Sequence, residues 1–272
     1  MSTSSSNSEL PDDIKQLVKL LSSERLAPLL KLTRSYPTAI ELHLEMLRLG
    51  GTLMTVTGII EVALRNTVCE RLAQHLGSRD WLNAESSSFQ WHSSEREKIR
   101  QAETNARKAM VAKLSPAARS ALKKRATASA ASANASAVGV HEHLDVSSGQ
   151  VVAQLTLFFW KRLYSEDYDQ RLWRPTLKST FPNKAVSRAD VASKLEILYQ
   201  NRNRIAHHEP VHGRRLQDGL DAIDFVVKEF GDTTSAGKRY LASLVESDVQ
   251  RLKADARILQ AAMAGFKKSG CR

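Results

Sequence analysis

The eleven residues from Arg202 to His212, RNRIAHHEPVH, carry side chains for two unrelated chemistries. His208, Glu209 and His212 fit H-E-x-x-H, in which two imidazoles four residues apart on one helix hold a zinc ion and the carboxylate acts on its bound water. Arg202, Asn203 and His207 fit R-x4-H, which supplies a guanidinium for phosphate charge, an amide to orient the phosphate and an imidazole to move a proton, without a metal.

Pro210 separates the two. The zinc geometry needs an unbroken helix through His208 and His212. A proline between them removes a backbone hydrogen bond, clashes with the preceding turn at a cost of about 3 kcal/mol, and drives Glu209 out of the α region. The helix is therefore expected to end at or near His208, Gly213 prolongs the break, and no downstream segment offers a third ligand.

The phosphate chemistry lies wholly before the proline. Asn203 and His207 share a helix face, and Arg202 lies further round with the reach to converge on the same phosphate. Arg202 also falls in an apolar stripe of Val191, Leu195, Leu198, Arg202 and Ile205, where a guanidinium needs a partner or a cleft. An ion pair with Glu61 or Glu196 is the structural alternative to phosphate binding. His207 stands in the last turn, where the helix dipole favours the imidazolium and burial would oppose it.

The elements that must position these groups are helical. Aromatics make up 6% of the 272 residues and Gly and Pro are scarce, which implies an all-α chain long enough to bury its own core. Residues 1–9 are Ser-rich and expected to be disordered. Residues 10–116 form a first helical half: short helices between Pro11 and Pro37, a strong helix from Leu53 to a stop at Gly77, and a charged helix capped by Ser93 and Ser94. On the strong helix Glu61 and Arg65, four apart, read by spacing alone as an ordinary exposed pair with Asn66 beside them. Residues 117–149 are an Ala/Ser-rich linker or weak helix, in which His141 and His143 flank Glu142 as a solvated pair. Residues 150–266 form the second half: a buried helix from Val151 to Tyr164, the motif helix from about Arg188 behind a Ser187 cap, and helices near 216–230 and 235–266.

The net charge is +11 and the pI about 9.8, so the surface suits a polyanion or is simply basic. Cys69 and Cys271 suggest neither a disulfide framework nor a thiolate metal site. With no signal sequence, and with Leu49–Leu64 too polar for a span, a cytoplasmic protein without a membrane partner is expected.

Four blocks then come together: GIIEVALRNTVCERLAQHLG, VVAQLTLFFWKRLY, YDQRLWRPTLKSTFP and LEILYQNRNRIAHHEPV. In order and spacing, over about residues 40 to 225, they resemble the Abi-like (abortive infection) proteins, a bacterial branch of the HEPN superfamily. The resemblance implies a HEPN-like helical bundle with additional helices, the Ala/Ser segment being an insertion. It implies a homodimer in which two motifs face one cleft, and a metal-independent endoribonuclease without cofactors that serves in phage defence or as a toxin, with an antitoxin protein or RNA as a further partner. Arg202 and His207 match the motif's ends and Asn203 its polar second residue. His208 gives the alternative x5 spacing, and Arg204 is a supporting residue. Glu61, Arg65 and Asn66 match the family's E-x3-R-N block, which makes them supports of the cleft. The rival reading is a HEPN-like protein that binds RNA or a partner without turnover.

Overall fold

The computed structural model describes residues 10–82, 89–133 and 144–269. The N-terminal residues 1–9, the His141-Glu142-His143 triplet and Cys271 lie outside these. Among the described residues the chain is mostly helical and forms no strand.

Local chemistry sets most of the boundaries. Helix α1 (Asp12–Leu21) has Asp12 and Asp13 in its first turn and Lys19 in its last, complementing the helix dipole. Helix α2 (Ser23–Thr33) is capped by the Ser22 hydroxyl, which accepts from the Arg25 N–H, and ends at Arg34 in the left-handed region. Pro37 opens the next helix rather than closing the one before it, because a proline in a first turn withholds an N–H that has no intrahelical partner.

That helix, α3 (Tyr36–Leu76), runs 41 residues and absorbs Gly50 and Gly51, so the expected start at Leu53 is corrected to Tyr36. Its three interior glycines, Gly50, Gly51 and Gly58, cost about 1 kcal/mol each, which burial of Leu49, Leu53, Val56 and Ile60 at 0–3% exposure offsets. By length and composition α3 could cross a bilayer, but these apolar residues are already packed against protein. Gly77, at φ +68°, ends α3 as expected.

Helix α4 (Ser93–Lys113) starts one residue earlier than its serines would place it. His92 is the cap residue and makes no side-chain cap bond; its imidazole instead meets the Tyr168 ring edge-on at 5.0 Å. Helix α5 (Pro116–Ala133) turns the first half of the linker into a regular helix. The expected single helix from Val151 to Tyr164 is two, α6 (Ser148–Val152) and α7 (Leu157–Arg162). The break between them lets Leu155, Leu157, Phe159, Trp160, Leu163 and Tyr164 all face inward, which one continuous helix would prevent. Short 3₁₀ and π turns follow between Glu166 and Thr180, and then α8 (Arg188–Ala206), α9 (Gly213–Glu229) and α10 (Tyr240–Ser269).

The chain divides into two compact units, and each draws on both the 10–116 and the 150–266 stretches. The first comprises residues up to Ile60, Glu196–Lys228 and Thr234 onward. Its core is aliphatic, with Leu26 on α2, Met46 and Leu53 on α3, Leu216 and Ile223 on α9, and Val245 and Leu252 on α10. The second unit comprises Glu61–Leu195 and Glu229–Thr233, and its core is aromatic. Trp91 meets Trp81, Phe89, Phe159 and Tyr168 with ring centroids 4.6–6.0 Å apart, and Phe181 packs on Tyr164 and Phe230.

A charged group stands beside this aromatic core. Glu95 on α4 is 1% exposed and accepts from the Tyr168 hydroxyl at 2.8 Å and from Arg162 Nε at 3.0 Å, while Arg162 also pairs with Asp167 at 2.7 Å. Burial pushes the Glu95 carboxyl up, but donation from Tyr168, Arg162 and Ser94 with the charge of Arg162 outweighs it and holds the group below the usual carboxylate range.

Candidate functional site

Helix α8 begins with a reciprocal cap. The Asp190 N–H donates to the Ser187 hydroxyl at 3.1 Å, and the Asp190 carboxylate accepts from the Ser187 N–H at 2.9 Å and its hydroxyl at 2.6 Å. Val191, Leu195 and Leu198 are fully buried, as their spacing requires. Beyond them the inward position is taken by Asn201, at 1% exposure, and Arg202 is half-buried. The stripe therefore continues through Asn201 rather than Arg202, and a buried polar residue next to the motif went unnoticed in the sequence.

Asn201 is held against α9. Its Nδ2 donates to the Arg215 carbonyl at 3.3 Å, and its Oδ1 is buried without a hydrogen-bond partner among the described residues. Opposite it stands Gly219, where an added Cβ would lie 2.3 Å from Asn201 Nδ2. A side chain here would have to displace the Asn201 amide from its bond to the Arg215 carbonyl. Gly219→Ala is expected to destabilise the protein by about 1–3 kcal/mol through overpacking, read as a lower urea midpoint; an unchanged midpoint would show that Asn201 moves aside freely.

The motif helix ends at Ala206 in a defined way. His207 donates its N–H to the carbonyls of Asn203 and Arg204, both at 3.1 Å. His208 adopts φ +55°, its N–H donates to the Ile205 carbonyl at 2.9 Å, and the Glu209 N–H donates back to the Arg204 carbonyl at 2.8 Å. This pair of bonds is a Schellman ending, with histidine at the position that usually takes glycine. The Arg204 side chain bridges the turn to Glu209 at 3.0 Å, and Pro210 follows outside the helix. His208 and His212 thus do not share a helix, so the two-imidazole geometry of H-E-x-x-H is not formed.

Histidine at φ +55° carries backbone strain that glycine would not. His208→Gly is expected to raise stability by about 0.5–1 kcal/mol after allowing for the more flexible unfolded chain. RNA cleavage should survive the change if His207 moves the proton; its loss would assign that role to His208.

Arg25 also joins this region. From α2 its Nη1 donates to the His208 carbonyl at 2.8 Å, fixing the turn that presents both imidazoles. His43 on α3 is 1% exposed, and its Nδ1 has no hydrogen-bond partner among the described residues. Burial first, and the charge of Arg25 second, lower the His43 pKa and favour the neutral imidazole. Neither residue carried a sequence signal, since each depends on contacts made by distant helices.

The remaining expected residues divide as follows. Asn203 is half-buried and His207 and His208 are exposed. Arg202 and Asn203 make no side-chain hydrogen bond or ion pair among the described residues. Asn203 and His207 lie about 40° apart around α8, and Arg202 and His207 about 140° apart. Arg202 can meet a phosphate held at His207 only by reaching around the helix, or a second copy can supply the missing group.

Glu61, Arg65 and Asn66 belong to the second unit, and Arg202, Asn203 and His207 to the first. Arg65 Nε donates to Asn66 Oδ1 at 3.4 Å. Asn66 and Cys69 line an open cavity of about 770 Å³ together with Glu70, Trp81 and Ser148. Burial pushes the Cys69 thiol up to about 11 against the opposing charge of Arg65, so it is no nucleophile at neutral pH.

The chain matches no protein-family model, no curated protein and no solved structure.

Proposed function

We propose that the protein is a metal-independent endoribonuclease of the HEPN type, acting in the cytoplasm in phage defence or as a toxin. The observation that carries this reading is that the side chains of Arg202, Asn203 and His207 make no hydrogen bond or ion pair among the described residues, while neighbouring polar groups such as Arg204 and Asn201 are engaged in structure. A guanidinium, an amide and an imidazole kept free of internal partners are the groups that phosphoryl chemistry needs.

In the proposed reaction the ribose 2′-OH attacks the adjacent phosphorus and the P–O5′ bond breaks, leaving a 2′,3′-cyclic phosphate and a 5′-OH. Arg202 neutralises charge on the phosphorane, Asn203 orients it, and His207 transfers the proton. A homodimer would bring a second motif to the same cleft and resolve the angular separation of Arg202 from His207. Glu61, Arg65 and Asn66 are proposed supports of that cleft, and an antitoxin protein or RNA is a proposed regulator. The second reading, a HEPN-like binder of RNA or a partner without turnover, is favoured by the same separation of Arg202 from His207 within one copy.

The test is cleavage of total RNA in EDTA by the wild type, His207→Ala and Arg202→Ala. Cutting by the wild type alone supports the enzyme, and RNA binding without cutting supports the binder. Sedimentation showing only monomer at micromolar concentration would count against the shared cleft.

A further inference from the structure

The positive charge of this chain is concentrated on two consecutive helices. Residues 96–125 contain ten Lys and Arg against two Glu, a net of +8 out of +11 for the whole chain. They span most of α4 and the first half of α5, both in the second unit. The turn between them is built. Ser115 caps α5 by accepting from the Ala118 N–H at 3.2 Å, and Arg119 Nη2 donates to the carbonyls of Ala112 at 3.2 Å and Leu114 at 3.5 Å.

The two helices differ in what they bury. Helix α4 rests on Ile99, Ala102 and Ala106. Along α5 every residue from Pro116 to Lys124 is exposed except the half-buried Leu122, so this helix gains little from packing. A helix whose described turns bury so little is marginal in water, and the like charges of Lys123 and Lys124 weaken it further. What would stabilise it is a polyanion along its length of about 27 Å.

An anionic lipid surface fits poorly. Interfacial helices bury Trp, Phe or Leu beneath their basic face, and none of the exposed large apolar residues described lies on α4 or α5. The face offers Ala, Ser, Lys and Arg, which suits phosphates that need contact without insertion.

We propose that α4 and α5 form a docking surface for the phosphate backbone of RNA. The choice of RNA as the polyanion rests on the ribonuclease reading; the surface itself would bind whether or not the motif cuts.

The test is fluorescence anisotropy of the full chain with a labelled, fully 2′-O-methylated RNA of about 30 nucleotides, which cannot be cleaved by 2′-OH attack, over a salt series. The α4–α5 variant carries Lys108→Gln, Lys113→Gln, Lys123→Gln and Lys124→Gln. A control of equal charge loss carries Lys15→Gln and Lys19→Gln on α1 with Arg251→Gln and Arg257→Gln on α10. Four lost phosphate contacts are expected to reduce the slope of log K against log salt by about 2–3 and to weaken binding at least tenfold at moderate salt, with a much smaller change in the control. Equal effects of the two variants, an unchanged slope in the α4–α5 variant, or α4–α5-dependent binding to anionic vesicles with RNA binding unaffected would each overturn the proposal. Circular dichroism confirms that both variants fold. Binding through α4 and α5 without cleavage by the wild type would sink the ribonuclease reading alone, and cleavage with no dependence on these helices would sink this one alone.

Discussion

Arg202→Ala is expected to slow RNA cleavage by about 10²–10³-fold while shifting stability by less than about 0.5 kcal/mol. The two halves of this expectation have the same cause. Arg202 makes no hydrogen bond or ion pair among the described residues, so its removal leaves no internal acceptor unsatisfied. The guanidinium is instead available for charge that appears on a phosphorane, and its loss should fall on kcat more than on KM. Arg202→Lys should recover only part of the rate, because an ammonium restores the charge without the bidentate fork. His207→Ala should cost about 10²–10⁴-fold by removing the proton-transfer group. A variant of Arg202 that lost activity in proportion to lost folded protein would mark the residue as structural.

The largest stability effect is expected in the second unit, at Arg162→Ala. Glu95 is 1% exposed and owes its ionised state to Arg162 and Tyr168. Removing the cation leaves a buried carboxylate uncompensated, a change that costs about 3–5 kcal/mol near neutral pH. The cost depends on acidity with a definite sign. In the wild type the folded carboxyl is held below its unfolded value, so its stabilising contribution is complete above the unfolded carboxylate range and fades as pH falls through the folded value. Without Arg162 the carboxyl is protonated more easily, and the gap between variant and wild type should narrow in acid. Urea unfolding of both proteins at neutral and acidic pH measures it. A gap that stayed constant or widened in acid would contradict the assignment.

Much of this architecture could be read from local signals, and the failures have physical causes. The Ser187 cap, the stop at Gly77 and the helix end before Pro210 follow from chemistry within a few residues, and all three are observed. The break between α6 and α7 was illegible because periodicity treats Val151–Tyr164 as one run, while the aromatic core accepts more inward side chains than one helix face can present. Asn201 was passed over because a polar residue beside a charged motif looks like part of its solvated surface; only the glycine on α9 shows that this position faces inward. Arg25 reaches the motif's end across more than 150 positions of sequence, a relation that no spacing rule encodes. Within the motif, the Schellman turn gives His207 and His208 different backbones: the first closes the helix and the second is the strained residue beyond it.

The central claim is that the substrate's own 2′-OH does the cutting and that no metal is needed. The most direct measurement is end-group analysis of a singly cut, end-labelled RNA incubated with the protein in EDTA, beside the same RNA with a 2′-deoxy residue at the cut site. The account predicts a 2′,3′-cyclic phosphate and a 5′-OH from the first substrate and no cut in the second. A 5′-phosphate product, cutting at the deoxy residue, or activity that EDTA abolishes would contradict it.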